Sequence, residues 1–119
     1  MCRPVRQGEV YYADIGAEED HPVIVVSRES LNRGDFVLVV PVTSKRVEER
    51  RYYPNCVAFR AGQFGFRMNC VARAERMALL EKSSLDSERG CQGRLNGGAL
   101  RDLNKAIGNV ICADCEAVV

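Results

Sequence analysis

Two runs of β-branched residues decide most of what this chain can become. Residues 22–27 read PVIVVS and residues 36–43 read FVLVVPVT, with only RESLNRGD between them. Side chains branched at Cβ are stiff and suit a pleated strand. Neither run alternates apolar with polar residues, so both are expected to be buried strands rather than half-exposed ones. Pro22 opens the first run, where a proline is tolerated. Pro41 sits inside the second and offers no N–H to a ladder, which predicts a bulge or a sheet edge there.

The remaining segments are read around these two. Residues 8–15 form a first strand, favoured by Val10, Tyr11 and Tyr12. Residues 16–21 (GAEEDH) are an exposed polar loop, and residues 29–34 a turn or single helical turn closed by Gly34. Residues 44–51 (SKRVEERR) are a charged loop. Residues 55–60 and 66–73 pair as strands across Ala61–Gly65, and residues 76–81 either continue that sheet or start a turn. Residues 83–95 are irregular. The last element is a helix with Asn96 as N-cap and Leu100, Leu103, Ile107, Val110 and Ile111 along one face. Five or six short strands and one terminal helix suit a small antiparallel β-barrel, which leaves few open edges. The 119 residues are expected to form a single domain, with its core over about 6–111 and a short tail at 112–119.

Composition excludes several classes. No apolar run approaches the roughly 20 residues of a membrane span. The start, MCRPVR, has no apolar stretch behind its charges, so no secretory signal is read there and a cytoplasmic site with no membrane is expected. The six cysteines are then expected to be reduced. Cys112 and Cys115 have metal-like spacing but lack a second pair, and His21 is distant. A zinc site recruiting Cys2 or Cys91 is the rival; the expectation is no metal and no cofactor. Whether Cys56 and Cys70 face each other across their hairpin is left open.

Charge is unevenly spread although the net is only +1. Residues 9–35 carry seven acidic and two basic side chains, net −5, whereas residues 43–76 carry eight basic and three acidic, net +5. Such asymmetry suggests one face turned to a polyanion. Arginines outnumber lysines fourteen to three, and arginine forks suit phosphate and stack on bases.

Candidate chemistry sits at strand ends and loops. Asp20-His21-Pro22 lies at a loop-to-strand junction, and Thr43-Ser44-Lys45-Arg46 just past a buried strand. Alternation puts Arg73 and Glu75 on one face. Gln63 lies on a loop with Phe64 and Phe66. These types serve cleavage of an RNA phosphodiester by its own 2′-hydroxyl. That reaction needs a base, an acid for the leaving 5′-oxygen, and donors for the charged phosphorane. Tyr52, Tyr53, Phe64 and Phe66 are rings on which unpaired bases can stack, with Phe64 and Phe66 equally readable as core or dimer-interface residues. Arg73 and Glu75 are equally readable as a simple ion pair, and His21 as a surface histidine.

Five segments, in order, resemble one family. RQGEVYYADIG is similar to the first strand of the MazF/PemK toxins of bacterial toxin–antitoxin systems. HPVIVVSRESLNR is similar to their R-P-x-(hydrophobic)-V-(S/T)…N segment, and FVLVVPVTSK to their V-x-V-x-P-(V/L)-T-(S/T) strand, the most specific match. FRMNCVARAERMALLEK and GRLNGGALRDLNKAIGNVI resemble a later strand and the closing helix. The resemblance implies a mainly β fold, an SH3-like antiparallel barrel with a C-terminal α-helix, and a homodimer. It implies a metal-independent endoribonuclease acting on single-stranded RNA at short sequences. It also implies a cognate antitoxin whose acidic, partly disordered segment fills the RNA groove.

On this resemblance Thr43 matches the family's catalytic threonine and Ser44 an RNA-contacting hydroxyl. Arg73 and Glu75 match residues that act in some members. The chain departs from the pattern at one place: His21 stands where the family usually has a catalytic arginine. Either His21 takes over proton transfer with help from Arg73, or the protein binds RNA without cutting it. The full expectation sets His21 and Glu75 as acid and base, and Thr43 and Arg73 on the phosphorane. Ser44, Lys45, Arg46 and Gln63 then bind the strand, with His21, Thr43, Arg73 and Glu75 converging in one electropositive groove. A gyrase inhibitor like CcdB is the remaining alternative, disfavoured by a chain with no tryptophan and no Trp-Gly-Ile-type end.

Overall fold

A computed structural model describes residues 4–16 and 18–111. Cys2, Cys112 and Cys115, and with them the zinc reading, lie outside the described residues. The strands are β1 (Glu9–Ala13), β2 (His21–Val25), β3 (Phe36–Thr43), β4 (Cys56–Phe59), β5 (Cys70–Arg73), β6 (Ala78–Glu81) and β7 (Gly93–Arg94). Two single helical turns, α1 (Glu29–Asn32) and α2 (Val47–Arg50), and a long helix α3 (Gly97–Ile111) complete the chain, with short 3₁₀ turns at Ala74–Arg76 and Lys82–Ser84. All pairings are antiparallel, in the order β4-β5-β3-β2-β1-β7, with β6 also paired to β3. The result is a mainly antiparallel β half-barrel closed by a C-terminal helix.

β3 is the hub, and its eight residues serve three neighbours. Val39–Pro41 pair with β2, Phe36–Val39 with β6, and Val42–Thr43 with β5. This arrangement corrects the expectation for Pro41. Val26 donates its N–H to the Leu38 carbonyl, so Leu38 and Val40 turn to β2, while Val39 and Pro41 turn away. On that far side the β6 ladder has ended at Val39 and the β5 ladder starts at Val42. The missing N–H of Pro41 falls in the gap between two partners, so neither a bulge nor an edge is needed.

The unalternating apolar runs have the expected cause: the β1–β2–β3 sheet is buried on both faces. Val10, Ile24, Val40 and Val42 face one cluster with Phe59, Phe66, Cys70, Ala72, Leu95 and Leu103. Tyr11, Ala13, Val23, Val25, Val37 and Val39 face a second cluster with Val5 and Leu85. Burial of each such aliphatic side chain contributes about 1.5–3 kcal/mol. The buried polar groups are satisfied. Glu9 Oε1 accepts the Arg6 N–H at 2.7 Å and the Tyr11 hydroxyl at 3.0 Å. Ser27 Oγ accepts the Leu38 N–H at 3.0 Å, and Asn32 Nδ2 donates to the Ser27 carbonyl at 2.9 Å, latching α1 onto the sheet.

Helix α3 starts where expected, with Asn96 Oδ1 accepting the Ala99 N–H at 2.9 Å. Its buried face holds Leu103 and Ala106, with Leu100 and Ile107 packed beside them. The apolar stripe runs on past its support. Val110 and Ile111 are exposed, because Asn109, bonded to the Pro54 carbonyl at 2.7 Å, marks where the helix leaves the barrel. In the β4–β5 hairpin Cys56 lies opposite Arg73 and Cys70 opposite Phe59, so the two thiols do not face each other. No described helix is long and apolar enough to cross a membrane.

Candidate functional site

The first core does not extend to the end of the sheet. Beyond it, Tyr12 and Pro22 sit side by side in the β1–β2 register, and with Val42 and Phe66 they line a groove of about 600 Å³. Strand alternation explains the floor: Tyr12 follows Val10 by two residues, Pro22 precedes Ile24 by two, and Val42 follows Val40 by two, so all share the core-facing side.

Onto this apolar floor the chain brings His21, Thr43, Ser44 and Lys45. The β2–β3 ladder ends at Val23–Pro41; continuing its register by two residues sets His21 opposite Thr43. Opposed residues in such a ladder have Cβ atoms about 4.5–5.5 Å apart. Thr43 Oγ1 accepts the Lys45 N–H at 3.2 Å, a short turn that fixes the hydroxyl. The next residue, Arg46, is held at φ +56°, a left-handed conformation costing about 1–2 kcal/mol for a residue with a Cβ. The Arg50 guanidinium reaches back to the Lys45 carbonyl at 3.2 Å.

The groove is not electropositive as expected. Glu18, Glu19 and Asp20 line one wall, against the cations of Lys45 and Arg67. The acidic β1–β2 loop reaches into the groove instead of standing clear of it, so within the groove lining the cations open to a polyanion are those of Lys45 and Arg67.

Arg73 and Glu75 do not line this groove. β5 gives way to a 3₁₀ turn after Arg73, and that turn folds Glu75 back onto its neighbour. Arg73 Nη2 lies 2.8 Å from Glu75 Oε2, and Asn55 Nδ2 donates to Glu75 Oε1 at 2.8 Å. Burial pushes the Glu75 carboxyl up, but hydrogen bonds from Asn55, the backbone and Arg73, with the Arg73 charge, outweigh it and leave its pKa below the ordinary value. A carboxylate so held is a weak base. Three residues of strand, roughly 10 Å at strand rise, separate Arg73 from Cys70 on the groove wall. Arg73 and Glu75 do meet, but through this turn and not through strand alternation.

Arg46 and Gln63 are also absent from the groove lining. Gln63 closes its own turn, its Oε1 accepting the Arg60 N–H at 2.8 Å. Phe66 is a core residue that also lines the groove; Phe64 packs edge-on against Phe59 with centroids 5.9 Å apart. Tyr52 and Tyr53 are exposed. Burial pushes the Cys70 thiol up to about 11, and burial first, then the Glu75 charge, raises Cys56.

Several groove residues were not foreseen. Tyr12 was read only as a strand former, although its spacing from Val10 carried the signal. Arg67 and Met68 open a segment quoted for the resemblance but were not singled out, and Gln92 comes from a stretch with no motif. They arrive through a backbone crossing: Gly65 and Gly93 lie so close that a Cβ on Gly65 would fall 2.5 Å from the Gln92 carbonyl carbon. One on Gly93 would fall 2.9 Å from the Gly65 nitrogen. Glycine at both positions lets the loop after β4 touch β7 and close the groove floor.

The family described as PemK-like, MazF-like toxin of type II toxin–antitoxin system matches residues 6–111. Among solved structures, an endoribonuclease in complex with its cognate antitoxin from a mycobacterial species superposes with a TM-score of 0.74 at 23% identity, covering 90% of this chain and 94% of that one. Mycobacterium tuberculosis toxin MazF-mt6 gives 0.71 at 20% identity, covering 86% and 94%. A MazE–MazF complex from Deinococcus radiodurans gives 0.72 at 17%, covering 93% and 98%. At these identities the likeness is one of fold. Among curated proteins no sequence match is found.

Proposed function

This chain belongs to the PemK-like, MazF-like toxin family, and on that premise we propose that it is an endoribonuclease that cuts single-stranded RNA through attack by the substrate's own 2′-hydroxyl. The observation that carries the reading is the meeting of His21, Thr43, Ser44 and Lys45 over an apolar floor, although 22 positions separate the histidine from the threonine.

The floor of Tyr12, Pro22 and Val42 takes a base, and a single strand is needed because a paired base cannot turn its face to a protein. The 2′-hydroxyl loses its proton as O2′ bonds to phosphorus. The P–O5′ bond breaks, and the departing O5′ takes up a proton. The products are a 2′,3′-cyclic phosphate and a 5′-hydroxyl. Histidine is the side chain suited to giving and taking protons near neutral pH, and His21 holds that position here. The Thr43 and Ser44 hydroxyls and the Lys45 ammonium stabilise the equatorial oxygens. Arg73 and Glu75, expected on the phosphorane and in proton transfer, act instead as a structural pair at the far end of β5. An antitoxin with an acidic segment would compete for the Lys45–Arg67 side.

The test is a long RNA incubated in EDTA and mapped at its new ends. Site-specific cuts ending in cyclic phosphate are expected, reduced by at least about 10²-fold in Thr43→Ala, the loss typical of one transition-state donor. Salt-sensitive binding with no cuts would replace the nuclease with an RNA-binding barrel. Unchanged cutting in both Thr43→Ala and His21→Ala would remove the groove from the reaction.

A further inference from the structure

The groove is short of cations, with three carboxylates facing two basic side chains, and a strand entering it must find phosphate contacts elsewhere. Arg89 stands beside the groove, outside its lining. Its guanidinium carbon lies 4.5 Å from the centroid of the Tyr12 ring, and Tyr12 is a groove-lining residue.

The segment that carries Arg89 is tied to β1 at that point. Asp86 donates its N–H to the Tyr12 carbonyl at 2.8 Å, and its Oδ1 accepts the N–H groups of Glu88 and Arg89, both at 3.0 Å. Gly90 closes the turn on the Asp86 carbonyl at φ +68°. Gln92 donates its backbone N–H to Val10 at 2.8 Å, while its side chain donates to the carbonyls of Arg89 and Gly90. The arginine is fixed at its base as well: Nε lies 3.2 Å from Asp86 Oδ2. Its two Nη groups have no partner among the described residues. A guanidinium held over a ring, with its base tied and its fork open, is preorganised for a bidentate contact to an anion.

We propose that Tyr12 and Arg89 form a backbone subsite for the RNA strand, in which the Arg89 fork takes a phosphodiester flanking the one in the groove. The inference rests on the nuclease reading of that groove. It places one phosphate contact on the β1 side, across from Lys45 and Arg67. It also explains how an acid-lined groove holds a polyanion.

The probe is a short fluorescein-labelled single strand of mixed sequence with 2′-O-methyl on every ribose, which cannot be cut. Anisotropy titrations are run over a range of salt concentrations. Arg89→Gln keeps a polar stem over Tyr12 and removes the charge. It should bind about tenfold more weakly at low salt, with a log K against log salt slope shallower by about 0.7, the value for one phosphate on a single strand. Arg89→Lys should recover the slope but not the full affinity. Equal thermal midpoints of the variants and the parent exclude unfolding as the cause; a variant that unfolds is replaced by Arg89→Met. Parental affinity and slope in Arg89→Gln, with parental RNA cleavage intact, would overturn this subsite alone. Failure of the parent to bind the probe or cut RNA would overturn the groove reading and this subsite together.

Discussion

The crossing of Gly65 and Gly93 gives the sharpest prediction about how the groove is held. Ala at position 65 meets two obstacles. The site has φ +90°, which costs an L side chain about 1–2 kcal/mol. The new Cβ also falls 2.5 Å from the Gln92 carbonyl carbon and 3.1 Å from the Gly93 nitrogen, both backbone atoms that cannot swing aside. Overpacking of this kind costs about 1–3 kcal/mol. Together Gly65→Ala should lose about 2–5 kcal/mol, or about 8–20 °C in Tm at about 4 °C per kcal/mol for a chain of this size. Two comparisons separate the causes. Gly62 has φ +93° with nothing within 4 Å of its Cβ position, so Gly62→Ala should show the conformational cost alone. Gly93 has no such φ, so Gly93→Ala should show the steric cost alone. Because positions 65 and 93 report one contact, the double variant should lose less than the sum of the singles. Urea melts and calorimetry read all four. A Gly65→Ala protein as stable as Gly62→Ala, or strictly additive with Gly93→Ala, would refute the crossing as a point of closure.

Other outcomes follow from the same geometry. The depressed pKa of Glu75 means that its contribution to stability is complete above the unfolded value of 4.5 and disappears as pH falls through the folded value. The parent should therefore exceed Glu75→Gln in urea stability at pH 7, by about 1 kcal/mol or less for so exposed a pair, and the gap should close on acidification below 4.5; a constant gap would contradict the pairing. With its thiol pushed up to about 11, Cys70 is about one part in a thousand thiolate at pH 8, so iodoacetamide should label it in urea but scarcely in the native protein, as read by peptide mass spectrometry. Gly108→Ala, in a helix with open space around the new methyl, should raise stability by about 0.5–1 kcal/mol; a loss would mean that this stretch of α3 is more closely packed than the structure shows.

Legibility in the sequence followed the range of the forces involved. Local signals were readable: the β-branched runs became β2 and β3, and Asn96 capped α3. Signals that depend on a distant partner were not. Pro41 pointed to a bulge or an edge because no single strand reveals that it changes neighbours midway. Ser27 and Asn32, part of the motif that carried the family resemblance, turned out to latch α1 to the sheet and stand apart from the groove. Thr43 and His21 could be paired only once the β2–β3 register was known. Arg73 and Glu75 were seen as partners because they are two residues apart, but their distance from the groove depends on how β5 lies against β3. Arg89 and Gln92 had no motif at all; a turn hydrogen-bonded to β1 places them. Val110 and Ile111 kept helical periodicity beyond the point where the barrel offers anything to pack against.

Helix α3 is the last described element, and it supplies Leu103 to a cluster that otherwise draws on residues as early as Val10. During synthesis, that cluster stays open to water until the fifteen-residue helix α3 has cleared the ribosome. A message broken or stalled before the codon for Gly97 would therefore yield a polypeptide unable to seal this cluster. Products that stop short of α3 would lack the packed sheet on which the groove is built.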